Sequence, residues 1–546
     1  MKYLIHTFLI VIVCSFSSYS QKNLFTKEDT LKGSNTVFRS WWDVLHYQIS
    51  VNPDFLNKSI SGSCTIRYKV ISDTLDYKMQ IDLQDPLIID SFLVNGLRFY
   101  DFIKKKDRWV LNMPSQVKGN EYLLIAYYHG KPKVAKNAPW DGGFVWKKDS
   151  LGNPWMSVAC QGVGASVWFP CKDLQSEEPD SGATLTLLVP DTLIGIGNGK
   201  LIDQHVVEKG QRSYTWNVMN TINSYDIIPY IGKYTCIHDS IKGEKGVLIT
   251  DYWVLDYHIA KAQSHLKTNV INTLKCLEHW FGSYPFYDDT YKIVEAPYLG
   301  MEHQSNIAYG NLYLNGYAGI DLSNSGWGLK WDFIVVHETA HEWFGNSVTA
   351  MDVADNWIHE GFASYAEVLF TEYFFGKEAA DDYSEGIGKK IENDIPLIGI
   401  YGVKKEGSGD IYNKGSRLIH MIRQLVNDDE KFRTILRDLS SHFYHKIITT
   451  KEFEDYLIKK SGKSLKPLFD QYLRSTKIPI LEYKLLEGKL DFRYANCVEG
   501  FNMPLKITAN KEYTIQPTMQ WQSVFLEGQP KAISIDRNMY IELKTK

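Results

Sequence analysis

The sequence predicts a multidomain α+β protein: a β-rich first half, a mixed and mostly helical middle, and a small β module at the end. Three observations carry that reading. Period-two alternation broken by turn residues runs from about residue 43 to residue 236. From about residue 255 to 474 the apolar positions fall three and four apart. The last seventy or so residues return to strand character.

Size and composition set the bounds. The chain has 546 residues, 44% hydrophobic and 23% charged, which is too apolar for a disordered chain and long enough for two to four domains with sizeable cores. Its 60 Lys+Arg against 64 Asp+Glu give a net charge of −4, the opposite of a nucleic-acid binder's basic footprint.

The first twenty residues read as a leader. Lys2 precedes the apolar run LIHTFLIVIVCSF, and Ser18-Tyr19-Ser20 supplies small residues for cleavage after Ser20. The run is shorter than the roughly 20 residues that span a bilayer, and Val13 before Cys14 argues against a lipoprotein signal. The mature chain is expected to be exported, without a transmembrane segment, to the periplasm, cell surface or medium. Export permits disulfides, but Cys64, Cys160, Cys171, Cys236, Cys276 and Cys497 are scattered and read as buried small residues, with Cys160 and Cys171 the pair worth testing.

The β half contains runs such as HYQISVNP, GSCTIRYKVI, KMQIDLQDP and ATLTLLVPD, which read as antiparallel strands. The glycines of Gly195-Ile196-Gly197-Asn198-Gly199-Lys200 lack phosphate-loop spacing and sit between strands, so they read as a turn. HIAKAQSHLKTNVINTLKCLEHWFG opens the helical part. SRLIHMIRQLV, EKFRTILRDLSSHF and KEFEDYLIKKSG continue it, the last with Thr449 and Glu452 at capping-box spacing. IPILEYKLL, KLDFRYANC, LKITANK and AISIDRNMYIELK form the final β module.

The chemistry concentrates in Val335-Val336-His337-Glu338-Thr339-Ala340-His341-Glu342. On a helix, His337 and His341 are one turn plus about 40° apart, so both imidazoles leave one face and can share a metal. Glu338 lies about 100° round from His337, placed to reach a water beside the metal rather than the metal itself. H-E-x-x-H arises by chance in roughly 2% of chains like this one. A catalytic zinc takes three protein ligands and keeps one open position. Glu360, nineteen residues after His341, can complete a His2Glu set if the first helix ends near Asn346 and a second begins near Asp355. Requiring Glu at that one offset lowers the chance expectation to roughly 0.1%. His359 points about 100° away from Glu360 and is not expected to be a ligand.

H-E-x-x-H, eighteen residues, Glu, then Gly-Phe-Ala resembles the M1 family of gluzincin metallopeptidases, the family of aminopeptidase N and leukotriene A4 hydrolase. Asp43-Val44-Leu45-His46-Tyr47 is similar to the family's opening strand, Trp168-Phe169-Pro170-Cys171-Lys172-Asp173 to its Pro-Cys-x-Asp segment, and Tyr412-Asn413-Lys414-Gly415 to its Tyr-x-Lys-Gly. The resemblance runs from about residue 40 to 475. It implies an N-terminal antiparallel β saddle domain (21–238), a thermolysin-like, mostly helical catalytic domain (239–475) and a small C-terminal β-sandwich (476–546), without the large helical domain that aminopeptidase N-like members usually add. It also implies one Zn2+ per chain on His337, His341 and Glu360.

The family's exopeptidase signature, Gly-x-Met-Glu-Asn, is matched by Leu299-Gly300-Met301-Glu302-His303. By resemblance, Glu302 binds the substrate's free α-ammonium, Gln161 assists it, Gly300 and Met301 line the substrate site, and Tyr412 donates to the oxyanion. His303 in place of Asn changes how the peptide backbone is held, and Lys414 reads as structural. The implied activity is removal of the N-terminal residue from peptides with free amino termini, with Glu338 as general base. The rivals are a zinc endopeptidase without the amine anchor, epoxide hydrolysis as in one family branch, and a non-catalytic peptide-binding module.

Overall fold

The computed structural model describes residues 25–546. The expected leader therefore lies outside the described residues. Among them, no helix is long and apolar enough to cross a membrane.

Three sheets build the first half. The largest has eight strands, with Trp42–Asp54 at its centre, antiparallel to Ser59–Val70 and parallel to Ala183–Pro190. A four-stranded sheet contains Gly143–Lys148 and Pro154–Ala159, and a three-stranded one contains Lys78–Asp82. Alternation along Ala183–Pro190 is strict, each inward residue buried and each outward one half-buried, as an antiparallel-rich sheet with one covered face requires. The glycine-rich stretch after it is the short strand Ile194–Ile196 followed by a bend.

The helices are α1 (Lys27–Gly33), α2 (Ile259–Phe281), α3 (Phe333–Ala340), α4 (Trp357–Phe375), α5 (Lys377–Gly388), α6 (Asn413–Val426), α7 (Asp429–His442), α8 (Thr450–Ser461) and α9 (Lys466–Arg474). In α2 the buried positions Ala262, Leu266, Val270, Leu274 and Leu277 recur at three and four, so the apolar stripe seen in the sequence is the face that packs. Thr449 and Glu452 make the expected reciprocal cap on α8.

The helical stretch also holds strands that the sequence concealed. Tyr291–Glu295, Ile307–Tyr309 and Gly300–Met301 within it join Tyr234–Gly243 and Gly246–Leu255 ahead of it in a five-stranded sheet. Residues of one face (Leu248, Tyr252, Ile293, Ile307) join the helices' core, while those of the other (Trp253, Leu255, Val294, Met301, Ala308) join the core of the first half. A strand covered on both faces reads as a continuous apolar run with no period of two, which is why Tyr291–Glu295 escaped notice. The boundary expected between residues 238 and 239 falls inside Tyr234–Gly243, a strand of this shared sheet.

The end of the chain forms two small sheets, one of four strands and one of three. Their inward residues, including Leu481, Phe492, Ile507 and Ile515, belong to the same core as the helices. The six cysteines of the described residues are unpaired, Cys160 and Cys171 included.

Candidate active site

Asp332 starts α3 by accepting a hydrogen bond from the Val335 amide, and every residue of the helix is buried. The helix stops at Ala340 instead of running on to Asn346. His341 caps it, the Trp343 amide bonds back three residues to Ala340, and Gly345 at φ +136° adopts a conformation that L side chains rarely take. The His341 ring then bonds the Phe344 carbonyl at 3.0 Å, so this turn orients the ligand. Helix α4 brings Glu360 in from its first turn.

The three residues converge as the spacing predicts. Their donor atoms lie within 4.8 Å of one another and all are buried. Nε2 of His337 and of His341 stand 3.4 and 3.5 Å from Glu360 Oε2. The opposite ring nitrogens are committed elsewhere: His337 Nδ1 lies 2.7 Å from Glu367 Oε1, and His341 Nδ1 faces the Phe344 carbonyl. A carbonyl only accepts, so His341 carries its proton on Nδ1 and presents a bare Nε2, and the Glu367 carboxylate selects the same tautomer in His337. Glu360 Oε2 is buried without a hydrogen-bond partner. Two bare imidazole nitrogens and an orphaned carboxylate oxygen on one point are the donor set of a divalent metal, and of zinc in particular. His359 is no part of it: its Nε2 accepts from the Ala350 amide at 2.7 Å.

A cavity of about 610 Å3 opens on this point and is lined by Gly300, Met301, Glu302, Glu338 and Tyr412 among others. A Cβ on Gly300 would meet Glu338 Oε1 at 2.7 Å, so the glycine leaves the room that Glu338 occupies. Burial raises the Glu338 carboxyl to about 7 against the pull of the two histidines. Glu302 is 4% exposed; the Tyr225 hydroxyl donates to its Oε1 at 3.2 Å, and the Asn346 amide holds its backbone carbonyl at 2.8 Å. Burial raises this carboxyl too. Gln161 donates through Nε2 to Glu360 Oε1 at 3.3 Å, which leaves its own carbonyl oxygen for another donor.

Tyr412 precedes α6, with its ring 6.0 Å from that of His337. It is held there by a glycine contact between α4 and α6: Gly361, next to Glu360, faces the backbone of Gly415, three residues after Tyr412. Lys414 donates to the Ser475 carbonyl at 3.0 Å, as a structural residue would. His303 does not line the cavity: it is fully buried, its Nδ1 lies 2.6 Å from the Tyr230 hydroxyl, and burial pushes its pKa down to about 3.

The sequence reading missed Glu367 and the Gly361–Gly415 contact. A signal for Glu367 existed, since seven residues after Glu360 on one helix returns to nearly the same face.

Comparison with known proteins points to one family. Residues 268–397 match the profile described as the peptidase family M1 domain, a stretch that holds His337, His341, Glu360, Glu302 and Glu338. Leukotriene A-4 hydrolase of Xenopus laevis is 22% identical over 446 residues, covering 76% of this chain and 68% of that protein. Aminopeptidase N of Lactobacillus helveticus is 24% identical over 440 residues, covering 73% and 46%. The chain thus spans from under half to about two thirds of the length of these two relatives. In fold, the M1 zinc metallopeptidase of Deinococcus radiodurans superposes with a TM-score of 0.69 at 19% identity, covering 82% of this chain and 97% of that one.

Proposed function

We propose that the protein is a zinc aminopeptidase that removes the first residue from peptides with free amino termini. The observation that carries this reading is the meeting of His337 Nε2 and His341 Nε2 on the partnerless Glu360 Oε2, with the buried Glu302 carboxylate lining the same cavity. Held by His337, His341 and Glu360, zinc supplies Lewis acidity that polarises the scissile carbonyl and lowers the pKa of water toward about 7.

The protein's own groups do the rest. Glu338 accepts a proton from the attacking water as its oxygen bonds the carbonyl carbon. As the C–N bond breaks, Glu338 returns that proton to the leaving nitrogen. Burial, which raises this carboxyl above the usual carboxylate range, favours a group that can both take and return a proton. The Tyr412 hydroxyl donates to the carbonyl oxygen as negative charge develops on it. Glu302 pairs with the α-ammonium, and the free carbonyl oxygen of Gln161 accepts a second of its hydrogens, so the first peptide bond is the one presented.

Aminoacyl chromogenic substrates, offered to the wild type, Glu338→Ala and Glu302→Gln, test the assignment. Hydrolysis should vanish with a chelator, return with zinc and be lost in Glu338→Ala. Glu302→Gln should lower kcat/KM by roughly 30-fold or more, the cost of about 2 kcal/mol or more for removing one partner of a buried charge pair. Cleavage at the acetylated end of N-acetyl peptides would replace this reading with that of an endopeptidase.

A further inference from the structure

Away from the cavity, the outer hairpin of the five-stranded sheet carries a second group of metal-competent donors. Cys236 and His238 are two apart on Tyr234–Gly243 and so share a face, and Asp251 on Gly246–Leu255 stands directly opposite His238. Their donor atoms also lie within 4.8 Å of one another. His238 Nδ1 is 3.6 Å from Cys236 Sγ and 3.0 Å from Asp251 Oδ1.

The use of one nitrogen for both contacts decides between the chemistries such a trio allows. A nucleophilic relay needs the thiol on one ring nitrogen and the carboxylate on the other. Here both face Nδ1, and a single proton there can serve only one of them. A cation can serve all three. With Zn–S near 2.3 Å and Zn–N and Zn–O near 2.0 Å, tetrahedral donors stand about 3.5 Å (S to N) and about 3.3 Å (N to O) apart, close to the separations present. Lys292, beside Asp251 in the next strand, bonds the Gly199 carbonyl and lies over the Trp216 ring, and its ammonium is also drawn by the Asp251 carboxylate, so a cation at the trio takes over a carboxylate that Lys292 shares.

We infer that Cys236, His238 and Asp251 form a second zinc site, with three protein ligands and a fourth position open to solvent through the exposed His238. Binding displaces the thiol proton, so thiolate and carboxylate together balance the charge of the ion. The thioether-free S, N, O set suits zinc over calcium or magnesium. The inference does not rest on the aminopeptidase reading.

Cobalt(II) titration of the metal-stripped, reduced protein tests it, because a Co(II)–thiolate bond gives a near-ultraviolet charge-transfer band that a His2Glu centre cannot produce. The wild type should bind two equivalents, one of them with this band, and added zinc should bleach it. Cys236→Ser should lose the band and one equivalent, while the double variant His337→Ala/His341→Ala should keep the band. The other cysteines of the described residues are buried, Cys497 the least so at 6% exposed, and are poor sources of a false signal. Absence of the band in the wild type, or its persistence in Cys236→Ser, would overturn the assignment.

Discussion

Gly361 and Gly415 touch backbone to backbone where α4 meets α6: a Cβ on Gly415 would come within 2.9 Å of Gly361 Cα. Gly361 follows Glu360 and Gly415 lies three residues after Tyr412, so this contact sets how far Tyr412, the oxyanion donor of the proposed mechanism, stands from Glu360. Gly415→Ala should push the helices apart, lower stability by about 1–3 kcal/mol and reduce kcat, with zinc still bound. Tyr412→Phe should lower kcat by about 10²- to 10³-fold at unchanged melting temperature. Calorimetry and steady-state kinetics on the two variants separate the effects, and an unchanged Gly415→Ala would show that the contact has slack.

Gly300→Ala places a methyl group 2.7 Å from Glu338 Oε1 and 2.8 Å from the Ile334 side chain, so the carboxylate must shift away. Displacing a general base by about 1 Å costs about 10²-fold in rate. The expected result is a drop of that order in kcat at full zinc content, measured by metal analysis alongside turnover.

Glu367→Gln removes the carboxylate that fixes the His337 tautomer and also receives the Tyr383 hydroxyl at 2.7 Å. Zinc affinity should fall by about 10- to 100-fold in competition with a chromogenic chelator. Equal affinity in variant and wild type would mean that packing alone orients the ring.

His303 sets a pH dependence of stability. Folded, it resists protonation down to about 3 because burial disfavours the cation; unfolded, it titrates near 6.5. Between those values the unfolded chain binds a proton that the folded chain refuses, so stability falls as pH falls, by about 1.4 kcal/mol per unit. The slope of wild-type unfolding free energy against pH, measured downward from 6.5, should exceed that of His303→Asn by about this amount. Equal slopes would place a charged imidazole in the fold.

What the sequence made legible follows from periodicity and spacing. The convergence of His337, His341 and Glu360, α2 and the Thr449 cap depend on residues close together in the chain, or on one fixed offset, and all were readable. The place where α3 ends was not, because it is set by Gly345 and by the capping His341 ring bonding the Phe344 carbonyl. Glu367, the strands inside the helical stretch and the inward turn of His303 depend on what packs against them from distant parts of the chain. His303 reads in the sequence as a change at the substrate site, whereas its ring lies behind the cavity wall against Tyr230.

The sheet that holds Met301 faces two cores at once. Neither half has a private surface along that plane, so cutting the chain near residue 238 would strip apolar area from both products. A fragment containing the metal ligands but lacking the first half would expose Val294, Met301 and Ala308 to water and tend to aggregate, which makes the N-terminal β layers an obligatory partner in folding rather than a detachable lid.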